Sequence, residues 1–183
     1  MIKSKTYKIC VFCGSKNGNS KIYIELASKI GEELAKKKFD IIYGGGKSGL
    51  MGSLAKAVIK NQGNLTSIIP KYFNKKDVLF KHSNKTIFTK DFSERKKIMI
   101  KSADIFLILP GGYGTLDELF EILSLNQLKV INKKIILLDI NNFWNSLRIL
   151  MKDLKRNGFL YTNKNIYFIS SVAKSIKFIE NSL

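Results

Sequence analysis

The chain has 183 residues, of which 45% are hydrophobic, and this is enough for one domain with a sizeable core. Its formal net charge is +18, yet only three of the 32 basic residues are arginine, and the lysines are spread along the chain. Proteins that read nucleic acids usually cluster their charge and favour arginine, so a dedicated nucleic-acid function is not expected. No run approaches the roughly 18 to 20 apolar residues of a membrane span, and no signal-peptide pattern is present, so we expect a cytoplasmic protein without membrane contact.

Apolar runs alternate with helical patterns from end to end, which is typical of an α/β fold with a parallel sheet. Strands are predicted at residues 7–13, 40–43, 65–69, 85–89, 105–109, 134–138 and 166–169. Helices are predicted at residues 21–37, 50–61, 93–102, 116–128, 143–156 and 172–182. We therefore expect a single domain with a doubly wound, mostly parallel sheet of about seven strands, flanked by helices on both faces. The irregular segment 70–84 is expected to form a loop over the ligand site.

Glycine-rich loops follow three of the predicted strands, at residues 13–18, 44–52 and 110–115. In open α/β sheets, ligands bind beyond the carboxyl ends of the strands, and glycine lets a ligand approach the backbone closely. Three such loops at one edge of a sheet predict a nucleotide-sized pocket. The standard fingerprints are absent, because Ile41 stands where a P-loop ending in Gly46-Lys47-Ser48 would need glycine, and no G-x-G-x-x-G follows the first strand. Neither ATP hydrolysis nor hydride transfer is therefore favoured.

Cys10 and Cys13 form a C-x-x-C pattern, which can indicate a redox pair or half of a metal site. Both lie in the first predicted strand, where residues three apart point to opposite faces. The chain has no further cysteine and a single histidine, His82. We therefore expect two buried, reduced thiols and no metal site.

The loop 110–115 leads into an amphipathic pattern that begins with two acids, Asp117 and Glu118. Unpaired N–H groups and the positive end of a helix dipole suit a phosphate at such a junction. Thr115 and Glu118 also match a capping box, in which Thr115 caps the helix, and this would explain Glu118 without any function. The helix dipole is expected to keep Glu118 ionised, which suits an electrostatic or general-base role.

Arg95 falls in the first turn of the helix predicted from Ser93, where the helix dipole disfavours a cation. A rare arginine in such a place indicates an anionic partner, because the planar guanidinium binds carboxylates and phosphates in bidentate fashion. This helix leads directly into the strand before the 110–115 loop. We therefore expect Arg95 to face Glu118.

Four segments carry a resemblance to a known family: Ser93-Glu94-Arg95-Lys96, Pro110-Gly111-Gly112-Tyr113-Gly114-Thr115-Leu116-Asp117-Glu118, Gly44-Gly45-Gly46 and Gly49-Leu50-Met51-Gly52. They are similar to motifs of the LOG (Lonely Guy) family, cytokinin riboside 5′-monophosphate phosphoribohydrolases that were often mislabelled lysine decarboxylases. The resemblance covers residues 13–159. It implies a Rossmann-like homodimer, without cofactor or metal, that hydrolyses the N-glycosidic bond of AMP or a cytokinin riboside monophosphate to free base and ribose 5-phosphate.

Carried over position by position, the resemblance implies that Arg95 and Glu118 are the catalytic pair. The substrate- and phosphate-binding residues predicted from the glycine-rich loops and from the resemblance are Gly14, Ser15, Gly45, Gly46, Asp77, Lys96, Gly111, Gly112, Tyr113, Gly114, Thr115, Asp117 and Ser124. The family commonly has Glu, Met and Thr where this chain has Asp77, Phe92 and Ser124. The single predicted domain, residues 1–183, is thus expected to be LOG-like and nucleotide-binding.

Two other functions compete with hydrolysis. The same scaffold could bind or carry a nucleotide or a phosphorylated cofactor without cleaving it, although the presence of both Arg95 and Glu118 argues against this. Lysine decarboxylation is the weakest alternative, because no lysine can be singled out as a Schiff-base site for pyridoxal phosphate.

Overall fold

The computed structural model describes residues 6–162 and 164–182, without the side chains of residues 75 and 76. In this part of the chain, seven strands, β1 to β7, span Lys8–Phe12, Asp40–Tyr43, Asn64–Pro70, Lys85–Thr89, Ile105–Ile108, Lys134–Leu138 and Ile166–Ile169. Six α-helices, α1 to α6, span Lys21–Lys36, Gly49–Lys60, Phe92–Ser102, Tyr113–Gln127, Asn145–Arg156 and Val172–Glu180. Each predicted strand and helix is present, and only the ends differ.

The seven strands form one parallel sheet in the order β4-β3-β2-β1-β5-β6-β7. The first strand lies at the centre, where Val11 pairs with Tyr43 on one side and with Leu107 on the other. After β4 the chain returns from the edge of the sheet to place β5 beside β1. The sheet is therefore doubly wound, as predicted, and its switch point lies between β1 and β5.

Helices cover both faces of the sheet, which explains why the strands read as continuous apolar runs. In β5, for example, all four residues of Ile105–Ile108 are buried. Helices α1, α2 and α6 build the core on one face, and α3, α4 and α5 build the core on the other. Cys10 packs into one core and Cys13 into the other, and both thiols are buried and unbonded, as expected.

The segment 70–84 is more ordered than the predicted loop. Pro70, whose φ is −62°, precedes a 3-10 helix at Lys71–Lys76. Further along, the N–H of Lys47 donates to the carbonyl of Val78 (2.8 Å), and the N–H of Phe80 donates to the carbonyl of Gly45 (2.9 Å). These two hydrogen bonds tie the segment to the loop that follows β2.

Within the described residues, none of the helices combines the length and the apolar character needed to cross a membrane. All seven strands belong to one sheet. The predicted single domain also includes residues 1–5, 163 and 183, which lie outside the described residues, so its full extent stays a prediction.

Candidate active site

The cavity that holds the predicted site opens at the switch point of the sheet. The loop after β1 meets the turn after β5 there, and the N–H of Gly14 donates to the carbonyl of Pro110 (3.0 Å). A Cβ on Gly14 would lie 3.3 Å from Gly111 Cα, so glycine permits this close approach of the two loops. The cavity beyond them has a volume of about 560 Å³, which is within the range of small-molecule sites.

Most of the predicted site residues share the wall of this cavity. Those that line it are Gly14, Ser15, Gly46, Arg95, Gly111, Gly112, Tyr113, Gly114, Thr115 and Glu118. Gly45, Asp77, Lys96, Asp117 and Ser124 are not among the residues that line it. A substrate contact stays a prediction for both groups of residues.

Helix α4 begins three residues earlier than the sequence pattern predicts, at Tyr113, and Gly112 occupies the N-cap position without a side-chain hydrogen bond. The predicted capping box is therefore wrong. Thr115 lies inside the helix and is 3% exposed, whereas the side chain of Glu118 reaches Arg95 instead of the N-cap N–H. With no side chain at the cap, the first N–H groups of α4 are available to an anion.

Two glycines at the start of α4 are not required by the fold itself. A Cβ added to Gly112 or Gly114 would meet no heavy atom within 4 Å, and neither residue has a positive φ. Gly111 differs, because a Cβ there would lie 2.1 Å from Thr115 Oγ1. Both open glycines line the cavity, one on each side of Tyr113. They leave the backbone open to the close approach of a phosphate.

Arg95 and Glu118 form a nearly buried ion pair at the cavity wall. The Arg95 Nη2 lies 3.1 Å from Glu118 Oε1, and the two side chains are 13% and 8% exposed. Arg95 also donates from Nε to the carbonyl of Ile68 (3.1 Å), and its guanidinium lies 5.6 Å from the centre of the Phe92 ring. The two residues therefore face each other, as predicted from the sequence.

Burial raises the pKa of Glu118 from 4.5 to about 7, and the Arg95 guanidinium offsets part of this rise. The expectation that the helix dipole keeps Glu118 ionised therefore holds only in part near neutral pH, because burial opposes ionisation. A carboxyl group with such a pKa can both accept and release a proton near pH 7. Glu118 thus combines the position and the acidity that proton transfer in a cavity requires.

The other charged positions of the prediction form pairs outside the cavity wall. Lys96 Nζ lies 2.9 Å from Asp117 Oδ1 and 2.8 Å from Glu121 Oε2. Asp77 forms an ion pair with Lys47, and Ser124 is exposed on α4. Glu121 was missed by the sequence analysis, although its position one helical turn after Asp117 is the signal that could have found it.

Two aromatic pairs line the cavity, and neither was predicted from the sequence. Phe92 packs edge to face against Phe73, with ring centres 5.8 Å apart. Tyr23 packs edge to face against Phe143, with ring centres 5.7 Å apart. Such rings suit a planar base. These residues are far apart in the chain, so no sequence spacing brings them together.

The fold and the cavity define a class of protein: a Rossmann-like α/β protein with an uncapped helix start and a nearly buried Arg–Glu pair at its switch point. Residues 51–180 match the family described as "Possible lysine decarboxylase". Among curated relatives, LOG1 of Arabidopsis thaliana is 36% identical over 176 residues, covering 96% of this chain and 83% of the relative. LOG7 of the same plant is 37% identical over 158 residues, covering 86% and 73%. The chain therefore belongs to the LOG family.

Both relatives are named cytokinin riboside 5′-monophosphate phosphoribohydrolases, which supports a hydrolase activity on nucleotides. Among solved structures, the molybdenum cofactor binding protein of Rippkaea orientalis has the same fold, with a TM-score of 0.75. It is 22% identical, and the match covers 97% of this chain and 98% of that protein. This likeness confirms the predicted fold class.

Replacing Gly114 by alanine tests the open start of α4. Because alanine is the better helix former, we expect Gly114→Ala to raise the free energy of unfolding by about 0.5 kcal/mol in urea titrations. The same methyl group obstructs the backbone N–H groups, so the affinity for ribose 5-phosphate should fall about tenfold in calorimetric titrations. Adenosine has no phosphate and serves as the control ligand. An unchanged affinity for ribose 5-phosphate, or an equal loss for adenosine, would contradict the phosphate site.

Proposed function

We propose that the protein hydrolyses the N-glycosidic bond of a nucleoside 5′-monophosphate, AMP or a cytokinin riboside monophosphate, to free base and ribose 5-phosphate. One observation supports this most directly: the nearly buried Arg95–Glu118 ion pair lines the same cavity as the uncapped start of α4. A phosphate site alone would support binding. A partly protonated carboxyl group beside it supports a reaction on the bound molecule.

The spacing along α4 matches the size of the proposed substrate. Tyr113 and Glu118 are five residues apart in the helix, which is about 7.5 Å at 1.5 Å per residue. Helical side chains tilt toward the N-terminus, so the Glu118 carboxyl group lies closer to the anion site than its Cα does. A ribose 5-phosphate held by its phosphate at Gly112–Thr115 would therefore bring its sugar to Glu118.

The reaction breaks the bond between the anomeric carbon and the base nitrogen: one water supplies the hydroxyl group on that carbon, and its remaining proton ends on the released base. The transition state resembles an oxocarbenium ion, and an ionised Glu118 would stabilise this positive charge and accept the proton of the attacking water. Arg95 would hold the carboxylate in place and donate to substrate oxygens. The remote phosphate contacts position the sugar, so their binding energy favours the reactive arrangement.

Replacing Glu118 by glutamine tests the proposal directly. We expect Glu118→Gln to remain folded and to bind ribose 5-phosphate, but to lose at least about 1,000-fold in the rate of adenine release from AMP. The assay follows adenine and ribose 5-phosphate by chromatography. Glu25→Gln, at an exposed position of α1, is the matched control and should behave as wild type.

Wild-type protein that releases no base from any purine or pyrimidine monophosphate would refute the proposal. Tight nucleotide binding without product over long incubation would instead support a binding or carrier protein; the Rippkaea orientalis protein that shares this fold is named a cofactor binding protein. The cavity does not support lysine decarboxylation, which would need a lysine as a Schiff-base site. Among the described residues that line the cavity, the lysine is Lys16, and its side chain is exposed.

The pH dependence of the reaction follows from the raised pKa of Glu118, about 7. If the ionised carboxylate acts, kcat/KM should fall as the pH decreases through about 7, approaching tenfold per pH unit below it. Measurements of kcat/KM for AMP between pH 5 and 9 check this expectation. A profile that is flat down to pH 5 would show that Glu118 does not act as the base.

The protein is also proposed to form a homodimer. Several large apolar side chains are exposed on α4 and α5, among them Tyr113, at 93% exposure, Phe120 and Leu150. A second copy that covers this surface would remove them from water. Light scattering should therefore give a mass near twice 20.8 kDa, and Phe120→Lys should shift it toward one chain. A wild-type mass near one chain would contradict the dimer.

A further inference from the structure

The missing side chain of Gly44 provides space for the guanidinium of Arg95. Gly44 follows β2 directly, and a Cβ added there would lie 2.1 Å from Arg95 Nη2 and 3.2 Å from Met51 Sδ. Its φ is not positive, unlike that of the next residue, Gly45, with φ +80°. The backbone at residue 44 could therefore accept alanine. The requirement for glycine therefore comes from the Arg95 guanidinium and, to a smaller extent, from the Met51 thioether.

Other groups surround the same guanidinium. The carbonyl of Ile68 accepts from Nε at 3.1 Å, the Phe92 ring centre lies at 5.6 Å, and Glu118 Oε1 lies 3.1 Å from Nη2. An arginine side chain has many rotamers, and holding one of them costs conformational entropy. Contacts on several sides reduce the number of accessible rotamers, and Gly44 leaves room for the guanidinium beside the end of β2.

We infer that Gly44 is a positioning residue for the catalytic pair: the space left by its missing side chain keeps the Arg95 guanidinium on the Glu118 carboxylate. A methyl group at residue 44 displaces the far end of a flexible side chain and leaves the strand in place. The inference concerns geometry, and only its consequence for turnover rests on the proposed function.

The first test is the kinetics of Gly44→Ala. Because misplacement of a catalytic group by about 1 Å can cost about 100-fold in rate, we expect kcat for AMP to fall about 100-fold. KM should change less than threefold, since the phosphate site at Gly112–Thr115 is untouched. Gly63→Ala is the matched control: a Cβ there would lie 2.6 Å from Ala35 Cβ, in the core and away from the cavity, so it tests overpacking alone.

The second test does not require turnover. The ¹³C resonance of the Glu118 carboxyl group reports its pKa, which the positive charge of Arg95 lowers. In Gly44→Ala the guanidinium moves away, so the pKa should rise above the wild-type value, whereas Gly63→Ala should leave it unchanged. The other ionisable groups that act on Glu118 or are influenced by it are Asp117, Lys96, Glu121, Cys10 and Cys13. The three atoms nearest to a Cβ at residue 44 belong instead to Arg95 and Met51.

A double-mutant cycle covers the case in which Gly44→Ala lowers the stability of the protein. If Arg95 is what the methyl group meets, the loss in urea midpoint caused by Gly44→Ala should shrink by at least half in an Arg95→Ala background. Unchanged kcat and an unchanged Glu118 pKa in Gly44→Ala would overturn the inference. Additive losses in urea midpoint in the double-mutant cycle would also overturn it. The same holds if neither Gly44→Ala nor the double variant Gly44→Ala/Arg95→Ala folds.

These outcomes separate the inference from the proposed function. Wild-type protein without any release of base refutes the hydrolase, but the pKa measurement and the cycle still decide the role of Gly44. Conversely, an active wild type with an equally active Gly44→Ala variant supports the hydrolase and refutes the positioning role.

Discussion

The site depends on one costly interaction, the nearly buried ion pair between Arg95 and Glu118. Removing two charges from water costs more than a single pair usually returns, so such a pair is poor evidence for stability. The cost of burying the Glu118 carboxylate is reflected in its pKa, which rises to about 7 despite the adjacent guanidinium. The carbonyl of Ile68 and the ring of Phe92 offset part of the cost on the arginine side. An arrangement that opposes stability while it tunes acidity is best explained by catalysis.

The doubly wound sheet is what brings the pair and its surroundings together. Gly44, Arg95 and Glu118 are far apart in sequence, but β2 and β5 flank β1 and all of their carboxyl ends point to one edge. Arg95 lies in the first turn of α3, and α4 starts after the short turn that follows β5. The uncapped start of α4 and the Glu118 carboxyl group then lie on one helix, so their separation is set by helical geometry and not by a loop.

Much of this arrangement can be predicted from the sequence, because it rests on local patterns. Apolar runs and glycine-rich loops indicate the sheet and the edge of the sheet that holds the site, and a rare arginine opposed to its helix dipole points to an acidic partner. The failures share a cause. The capping box at Thr115 is wrong because the helix start depends on the extended backbone of Gly112, and the acidity of Glu118 depends on burial by distant elements. The role of Gly44 depends on its contact with Arg95, a residue of a different element.

Binding and reaction are assigned to different parts of the chain, and this separation bears on how one fold serves different functions. The start of α4 offers backbone N–H groups, which any phosphorylated ligand can use, so it does not distinguish a hydrolase from a carrier. The rings of Phe92 and Phe73 and those of Tyr23 and Phe143 line the cavity and suit a planar part of a ligand. Neither feature supplies acid or base. In the proposed reaction, the paired Arg95 and Glu118 supply them. A protein of this fold without that pair would retain the uncapped start of α4 and the aromatic rings but not the groups that carry out the reaction.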